Sequence, residues 1–361
     1  MTDTTKDERD RAYAAAGTAG RRGQDLLTLI FPLPKPLRLA ILLTGLFSLT
    51  VLALAYWYGA PLELPKGRMS RILGVNSSLP LLVALLAYLL AQGINWLTGA
   101  APVKPVELLR NSVYDLLFVT LFVIVIYFHF HLKMWIPIIN PELYDAEYLA
   151  WETQARWLVE VCFAIRGTLA PYMPVVDQWY QMALVLMFVT SFSYFAVSRD
   201  RFYPHVVLGV LMVMIIGGLS YLIAPAAGPF LYEKGANAVA SDAQISMWWA
   251  YQQVQTQGMA WIAENGQHYF TSSLAAMPSL HVAQVVVMTY YILRSRSLLG
   301  PVFVALSAWI LVESVASRWH YTVDAPFGIA LAIAVIWTCN RVCRSPRQVA
   351  QPAVAENPAT V

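Results

Sequence analysis

Met277-Pro278-Ser279-Leu280-His281 runs directly into the apolar stretch Val282-Ala283-Gln284-Val285-Val286-Val287-Met288, and Ser317-Arg318-Trp319-His320-Tyr321-Thr322-Val323-Asp324 runs into Ala325-Pro326-Phe327-Gly328-Ile329-Ala330-Leu331. Each stretch places a histidine where an apolar segment begins. The chain is 58% hydrophobic and only 12% charged, about half the charged share of a soluble globular domain. Several of its apolar runs approach the roughly 20 residues that a helix needs to cross the hydrocarbon layer with its backbone hydrogen bonds satisfied internally. The sequence therefore predicts an all-α, polytopic membrane helical bundle.

Working outward, the expected spans are Leu37–Tyr58, Leu79–Leu97, Val113–Leu132, Gln181–Val197, Val206–Ile223, Leu280–Leu293, Leu298–Ala316 and Val323–Asn340, about eight transmembrane helices. Twelve tryptophans and nineteen tyrosines supply interfacial belts. The first run starts too late for a cleaved signal peptide and reads as a retained helix. Residues 1–36 read as a cytoplasmic N-terminal segment, 37–176 as accessory helices plus an extracytoplasmic interfacial segment, 177–344 as a catalytic core, and the Ala/Pro-rich 345–361 as a disordered tail.

With the N-terminus cytoplasmic, Lys104, Arg110, Arg199, Arg201, Arg294, Arg296, Arg341, Arg344 and Arg347 all fall on the cytoplasmic side. Lys66, Arg68 and Arg71 are the exception. Both histidine motifs then open on the extracytoplasmic side of the inner or plasma membrane. Two outer segments are too long for turns. Leu143 to Leu169 reads equally as a helix lying in the interface or as a packed cap. Pro225 to Met277 leads into the first histidine motif, and long loops beside a site are often functional.

The net charge of +3 is small and its basic residues are scattered, so nucleic acid is not an expected partner. Cys162, Cys339 and Cys343 indicate neither a disulfide framework nor a zinc site. His129, His131, His205 and His268 have no partner visible in the sequence and read as interfacial or packing residues. His129 and His131, two apart, point to different helix faces and would not share a metal.

His320 differs in having Asp324 one helical turn onward, if the last span starts near Tyr321. The carboxylate would accept a hydrogen bond from one ring nitrogen and fix the tautomer, leaving the other nitrogen free to attack phosphorus. His281 would protonate the leaving oxygen and later take a proton from an incoming hydroxyl. Taken alone, His320 and Asp324 read equally well as a structural pair. Ser279, with backbone amides at a helix N-terminus, offers a seat for a phosphate. Arg318 offers a fork of donors for spread negative charge, or else a lipid-phosphate or carboxylate contact.

Ser279-Leu280-His281 and His320-Tyr-Thr-Val-Asp324 resemble the second and third motifs of the type 2 phosphatidic acid phosphatase superfamily. The Met-Pro-Ser-Leu-His form, and Tyr221-Leu-Ile-Ala-Pro225-Ala-Ala-Gly-Pro229-Phe230, are similar to the branch that contains the fungal inositol phosphorylceramide synthases. The resemblance spans roughly Asp177 to Arg341. It implies a six-helix core with His320 as nucleophile, Asp324 as its orienting carboxylate and His281 as general acid and base. It also implies catalysis without metal or cofactor, and Ser279 on phosphate.

The superfamily's first motif, a Lys followed by Arg-Pro, is missing, and Ser314 stands where the phosphatases carry an arginine ahead of their catalytic histidine. Arg318 and Lys234 are the candidate substitutes. These departures favour transfer from a phosphodiester. The expected activity is a phosphotransferase moving a phosphorylated headgroup, such as phosphoinositol, from a membrane phospholipid to a lipid or glycan hydroxyl. The alternatives are a phosphatase for a polyprenyl or glycerolipid phosphate and a non-catalytic lipid transporter.

Overall fold

A computed structural model describes residues 33–63, 78–100, 103–172, 176–269 and 277–343. The expectations for residues 1–32, for Lys66, Arg68 and Arg71, and for 345–361 lie outside the described residues. The described chain is all-helical. In order the helices are α1 (Lys35–Tyr58), α2 (Leu79–Thr98), α3 (Pro105–Ile139), α4 (Asp145–Gln154), α5 (Arg156–Leu169), α6 (Val176–Ser198), α7 (Tyr203–Ser220), α8 (Ala238–Gln257), α9 (Met259–Tyr269), α10 (Leu280–Arg294), α11 (Gly300–Ala316) and α12 (Asp324–Val342).

Local signals set these boundaries. Pro36 sits in the first turn of α1, where its missing N–H costs nothing. Gly59, at φ 60°, closes that helix by donating its N–H to the Tyr56 carbonyl, a left-handed cap that glycine adopts without a side-chain clash.

Six helices, α1, α2, α3, α6, α7 and α12, are long and apolar enough to cross a membrane. The other two expected spans, α10 and α11, have 15 and 17 residues, or about 22–26 Å at 1.5 Å per residue, against a hydrocarbon core of about 30 Å. Their shortness has a physical basis at the end where they meet the histidine motifs. Irregular backbone at membrane depth is tolerated only where protein buries it. Ser279, Ser317, Arg318 and His320, which flank those helix ends, are all buried.

Helix α7 is the central post. It is apolar around its circumference, and Val206, Val207, Leu208, Val210, Leu211 and Val213 are all inaccessible to solvent, as expected of a helix surrounded by others. Helix α10 can approach it closely because Gly217 leaves no side chain where Leu280 packs. Helices α10, α12, α1 and α3 pack around this post, α2 lies along α6, and α5 lies on α11 through Val159 and Cys162 against Val315 and Ala316. The outer faces of α1 and α2 carry exposed Leu42, Leu46, Leu49, Leu86, Leu90 and Ile94, the surface expected where lipid is the solvent.

Leu143 to Leu169 packs over the end of the bundle as a cap and keeps an apolar outer face. Asp145, Glu152 and Arg166 are buried and turned into the protein, while Trp151, Trp157, Leu158, Val161 and Ile165 are exposed. The last helix starts at Asp324, one residue after the start of the expected span at Val323, so His320 lies in the turn ahead of α12.

Candidate active site

Both histidine motifs lie at one end of the bundle, and hydrogen bonds pin their helices together there. Ser279 is the N-cap of α10, its hydroxyl oxygen accepting the Val282 N–H at 3.5 Å. Its own N–H donates to the Asp324 carbonyl at 3.2 Å. A Cβ on Gly328 of α12 would fall 2.5 Å from the Ser279 carbonyl oxygen, so the two helix starts touch backbone to backbone. Two helix N-termini therefore face one site, and their unpaired N–H groups and dipoles favour an anion.

His320 reaches this position through a tight turn. Arg318 adopts φ 59°, a left-handed conformation that costs a non-glycine residue roughly 1–3 kcal/mol and persists only where its surroundings impose it. The His320 N–H then donates to the Ser314 carbonyl at 3.1 Å. Its ring Nδ1 lies 3.1 Å from Asp324 Oδ2, which also accepts the Tyr321 N–H at 2.9 Å. Because an ionised carboxylate only accepts, Nδ1 carries the proton and Nε2 keeps its lone pair. The pairing expected from the sequence is thus made by the turn ahead of α12 and the first residue of that helix.

His281, in the first turn of α10, has its Nδ1 2.6 Å from the Tyr180 hydroxyl of α6. The two rings meet edge to face, 5.3 Å apart at 83°. The His281 and His320 rings are 6.4 Å apart between centroids and nearly perpendicular, at 88°. Each imidazole is therefore held through Nδ1, which leaves the pair of Nε2 atoms for chemistry.

The cap braces the turn that carries His320. Asp145 of α4 accepts the Ala227 and Gly228 N–H groups, each at 2.8 Å, and the Tyr321 hydroxyl at 2.7 Å. Burial pushes the Asp145 carboxyl above its ordinary value, and these three bonds oppose the rise. Glu152 of α4 accepts the Thr322 N–H at 3.0 Å and is ion-paired with Arg318 Nη2.

Arg318 Nε lies 3.3 Å from Glu233, which is held in turn by a bidentate Arg156 at 2.7 Å on both arms. The Arg156 guanidinium holds the Glu233 carboxyl below its ordinary range. Deeper in, Arg166 of α5 joins Glu313 of α11 and Asp177 at the start of α6, and Asn237 also bonds Glu313. That network fixes the start of α6, and Tyr180 follows within one turn.

Of the residues singled out by sequence, His281, His320, Asp324 and Ser279 converge. Arg318 is beside them, with Glu152 bonded to Nη2, Glu233 within ion-pair distance of Nε, and neither Nε nor Nη1 hydrogen-bonded among the described residues. Lys234 is exposed on the loop after Glu233. Sequence reasoning missed Tyr180, Asp145 and Glu152, and also Lys133 of α3, whose ammonium lies 5.2 Å from the centre of the Tyr221 ring. Among the described residues no group of three or more His, Cys, Asp or Glu side chains is gathered to hold a metal ion. A cavity of about 280 Å³ lined by Asp115, Arg199 and Tyr203 lies at the opposite end, away from both histidines.

Residues 142–338, more than half of the chain, match the family model described as the PAP2 superfamily. The chain belongs to the PAP2 superfamily. The PAP2 match begins ahead of α4, so it takes in the cap as well as both histidine motifs. PAP2 membership and the apolar helices make this an integral membrane protein, with activity of the lipid phosphatase or phosphotransferase type. Comparison with curated proteins and with solved structures gives no match.

Proposed function

We propose that the protein is a membrane phosphotransferase that moves a phosphorylated headgroup, phosphoinositol being the leading candidate, from a phospholipid to a lipid or glycan hydroxyl. The observation that carries this reading is the facing pair of imidazoles, 6.4 Å apart, each tethered through Nδ1. With Nδ1 of each ring engaged, Nε2 of His320 is free to attack phosphorus and Nε2 of His281 to serve the leaving oxygen. The missing first motif and the substitution at Ser314 argue for a phosphodiester donor.

In the first step the lone pair on His320 Nε2 attacks phosphorus. The bond from phosphorus to the glycerol oxygen breaks, and imidazolium His281 gives its Nε2 proton to that oxygen, releasing diacylglycerol. In the second step the acceptor oxygen attacks phosphorus and its proton passes to His281 Nε2. The phosphorus–nitrogen bond breaks and both histidines return to their starting states. Asp324 keeps the His320 proton on Nδ1, and Tyr180 holds the His281 ring to the gap. Ser279 and the N-termini of α10 and α12 stabilise charge on the nonbridging oxygens. Arg318, anchored by Glu152 and Glu233, holds the turn and offers Nη1 toward that charge.

The distribution of basic loops supports an extracytoplasmic position for this end of the bundle. Purified protein in mixed micelles, given a phospholipid labelled in its headgroup phosphate and a hydroxyl-bearing lipid, should yield a new labelled lipid, and His320→Ala should yield none. Labelled water-soluble phosphate without a new lipid would overturn transfer in favour of hydrolysis. Full turnover by His320→Ala would sink the mechanism itself.

A further inference from the structure

The cations at the site end of the bundle differ sharply in their partners. Arg156 pairs with Glu233 and Glu160, Arg166 with Asp177 and Glu313, and Arg318 with Glu152 and Glu233. Lys133, in the last two turns of α3, has no carboxylate within ion-pair distance and no hydrogen bond among the described residues. A half-buried ammonium with no counter-charge is costly. Such a group persists where an anion comes to it.

The position of Lys133 says where that anion would sit. Its ammonium rests over the Tyr221 ring. The Tyr221 hydroxyl donates to the Pro278 carbonyl at 3.3 Å, one residue ahead of Ser279. The end of α3 is tied to the same place, because Asn140 Nδ2 donates to the Leu222 and Ile223 carbonyls at 3.1 and 3.3 Å. Phosphoryl transfer needs positive charge beside the nonbridging oxygens, and a lysine supplies it as a point charge.

We propose that Lys133 binds the phosphate of the donor lipid beside His281, so that α3, a helix outside the family match, completes the substrate site. The inference rests on the transferase reading of that site and narrows its substrate class. The arginines at this end are already paired with carboxylates, so Lys133 adds one positive charge, which matches the single negative charge of a phosphodiester more closely than the two that a phosphomonoester can carry.

Lys133→Met and Lys133→Arg test this in the full-length protein, with the labelled phospholipid assay run as a substrate series. Lys133→Met should lower kcat/KM by roughly 10²-fold or more, with a raised KM. It should leave thermal stability unchanged or higher, since it removes an unpaired charge. Lys133→Arg should recover part of the loss. Unaltered kcat/KM in Lys133→Met, with wild type active and His320→Ala inactive, overturns the role of Lys133 and leaves the transferase reading intact. A loss of activity that tracks a fall in melting temperature overturns it as well. No new labelled lipid from wild type overturns the transferase reading instead.

Discussion

Glu152 and Arg318 form a buried ion pair in which each side chain is only 1% exposed, and the Glu152 carboxylate also accepts the Thr322 N–H at 3.0 Å. Replacing Glu152 by Ala leaves the buried guanidinium with Glu233 alone, 3.3 Å from Nε, and a backbone donor without its acceptor. Breaking a buried pair by removing one partner costs about 3–5 kcal/mol where the remaining charge is uncompensated. With Glu233 still in place, the variant should lose about 3 kcal/mol, the low end of that range, in SDS-titrated unfolding from mixed micelles. Because Arg318 and Thr322 flank His320, kcat should fall with it. Arg318→Met leaves Glu152 charged and buried with only the Thr322 N–H and should be destabilised comparably. Combined with Glu152→Gln, it should cost about 2 kcal/mol less than the sum of the single changes, because the cost lies in the unpaired charge. A Glu152→Ala variant within about 0.5 kcal/mol of wild type, or strict additivity in the double variant, would refute the view that the cap holds the catalytic turn through this pair.

Other perturbations probe the rest of the site. Asp324→Asn keeps the shape but removes the acceptor that fixes the His320 tautomer, so kcat should fall roughly 10³-fold with little change in KM. Tyr180→Phe should cost about tenfold in kcat, equivalent to roughly one hydrogen bond, and shift the kcat–pH profile, whereas a purely structural Tyr180 would leave that profile in place. Gly328→Ala puts a methyl 2.5 Å from the Ser279 carbonyl; about 1–3 kcal/mol of overpacking and a loss of turnover should follow, measured by unfolding and transfer assays. Arg156 holds the Glu233 carboxyl below its ordinary value near 4.5. The stabilisation from this pair is therefore full above pH 4.5 and disappears as the pH falls through the lower folded value. Melting temperature should drop over that acid range in wild type and drop less in Glu233→Gln.

Much of the fold was legible because lipid imposes simple rules. Apolar runs of about 20 residues must be helices, and alternating spans bring the starts of α10 and α12 to the same end. That logic placed His281 near His320 without any contact being visible. The shortness of α10 and α11 was less legible, because it depends on α4 and α5 covering irregular backbone at their ends. What the sequence did not show was how each helix is rotated about its axis. Tyr180 is 101 residues from His281, on a helix apolar around most of its surface, and no local pattern marks it. The charges of Leu143 to Leu169 left an interfacial helix and a packed cap equally open; Asp145 and Glu152 turn inward, where the N–H groups of Ala227, Gly228 and Thr322 need acceptors. Lys133 carries no local pattern that marks it, because its neighbour Tyr221 comes from a distant helix end.

The central claim is a covalent phosphohistidine on His320. Purified protein incubated briefly with a phosphate-labelled phospholipid, quenched in alkali to preserve phosphorus–nitrogen bonds and digested, should carry the label on the peptide containing His320. His320→Ala should carry none, and omission of the hydroxyl acceptor should raise the amount. Transfer that proceeds at the wild-type rate with no labelled peptide, or with the label on another residue, would contradict the account.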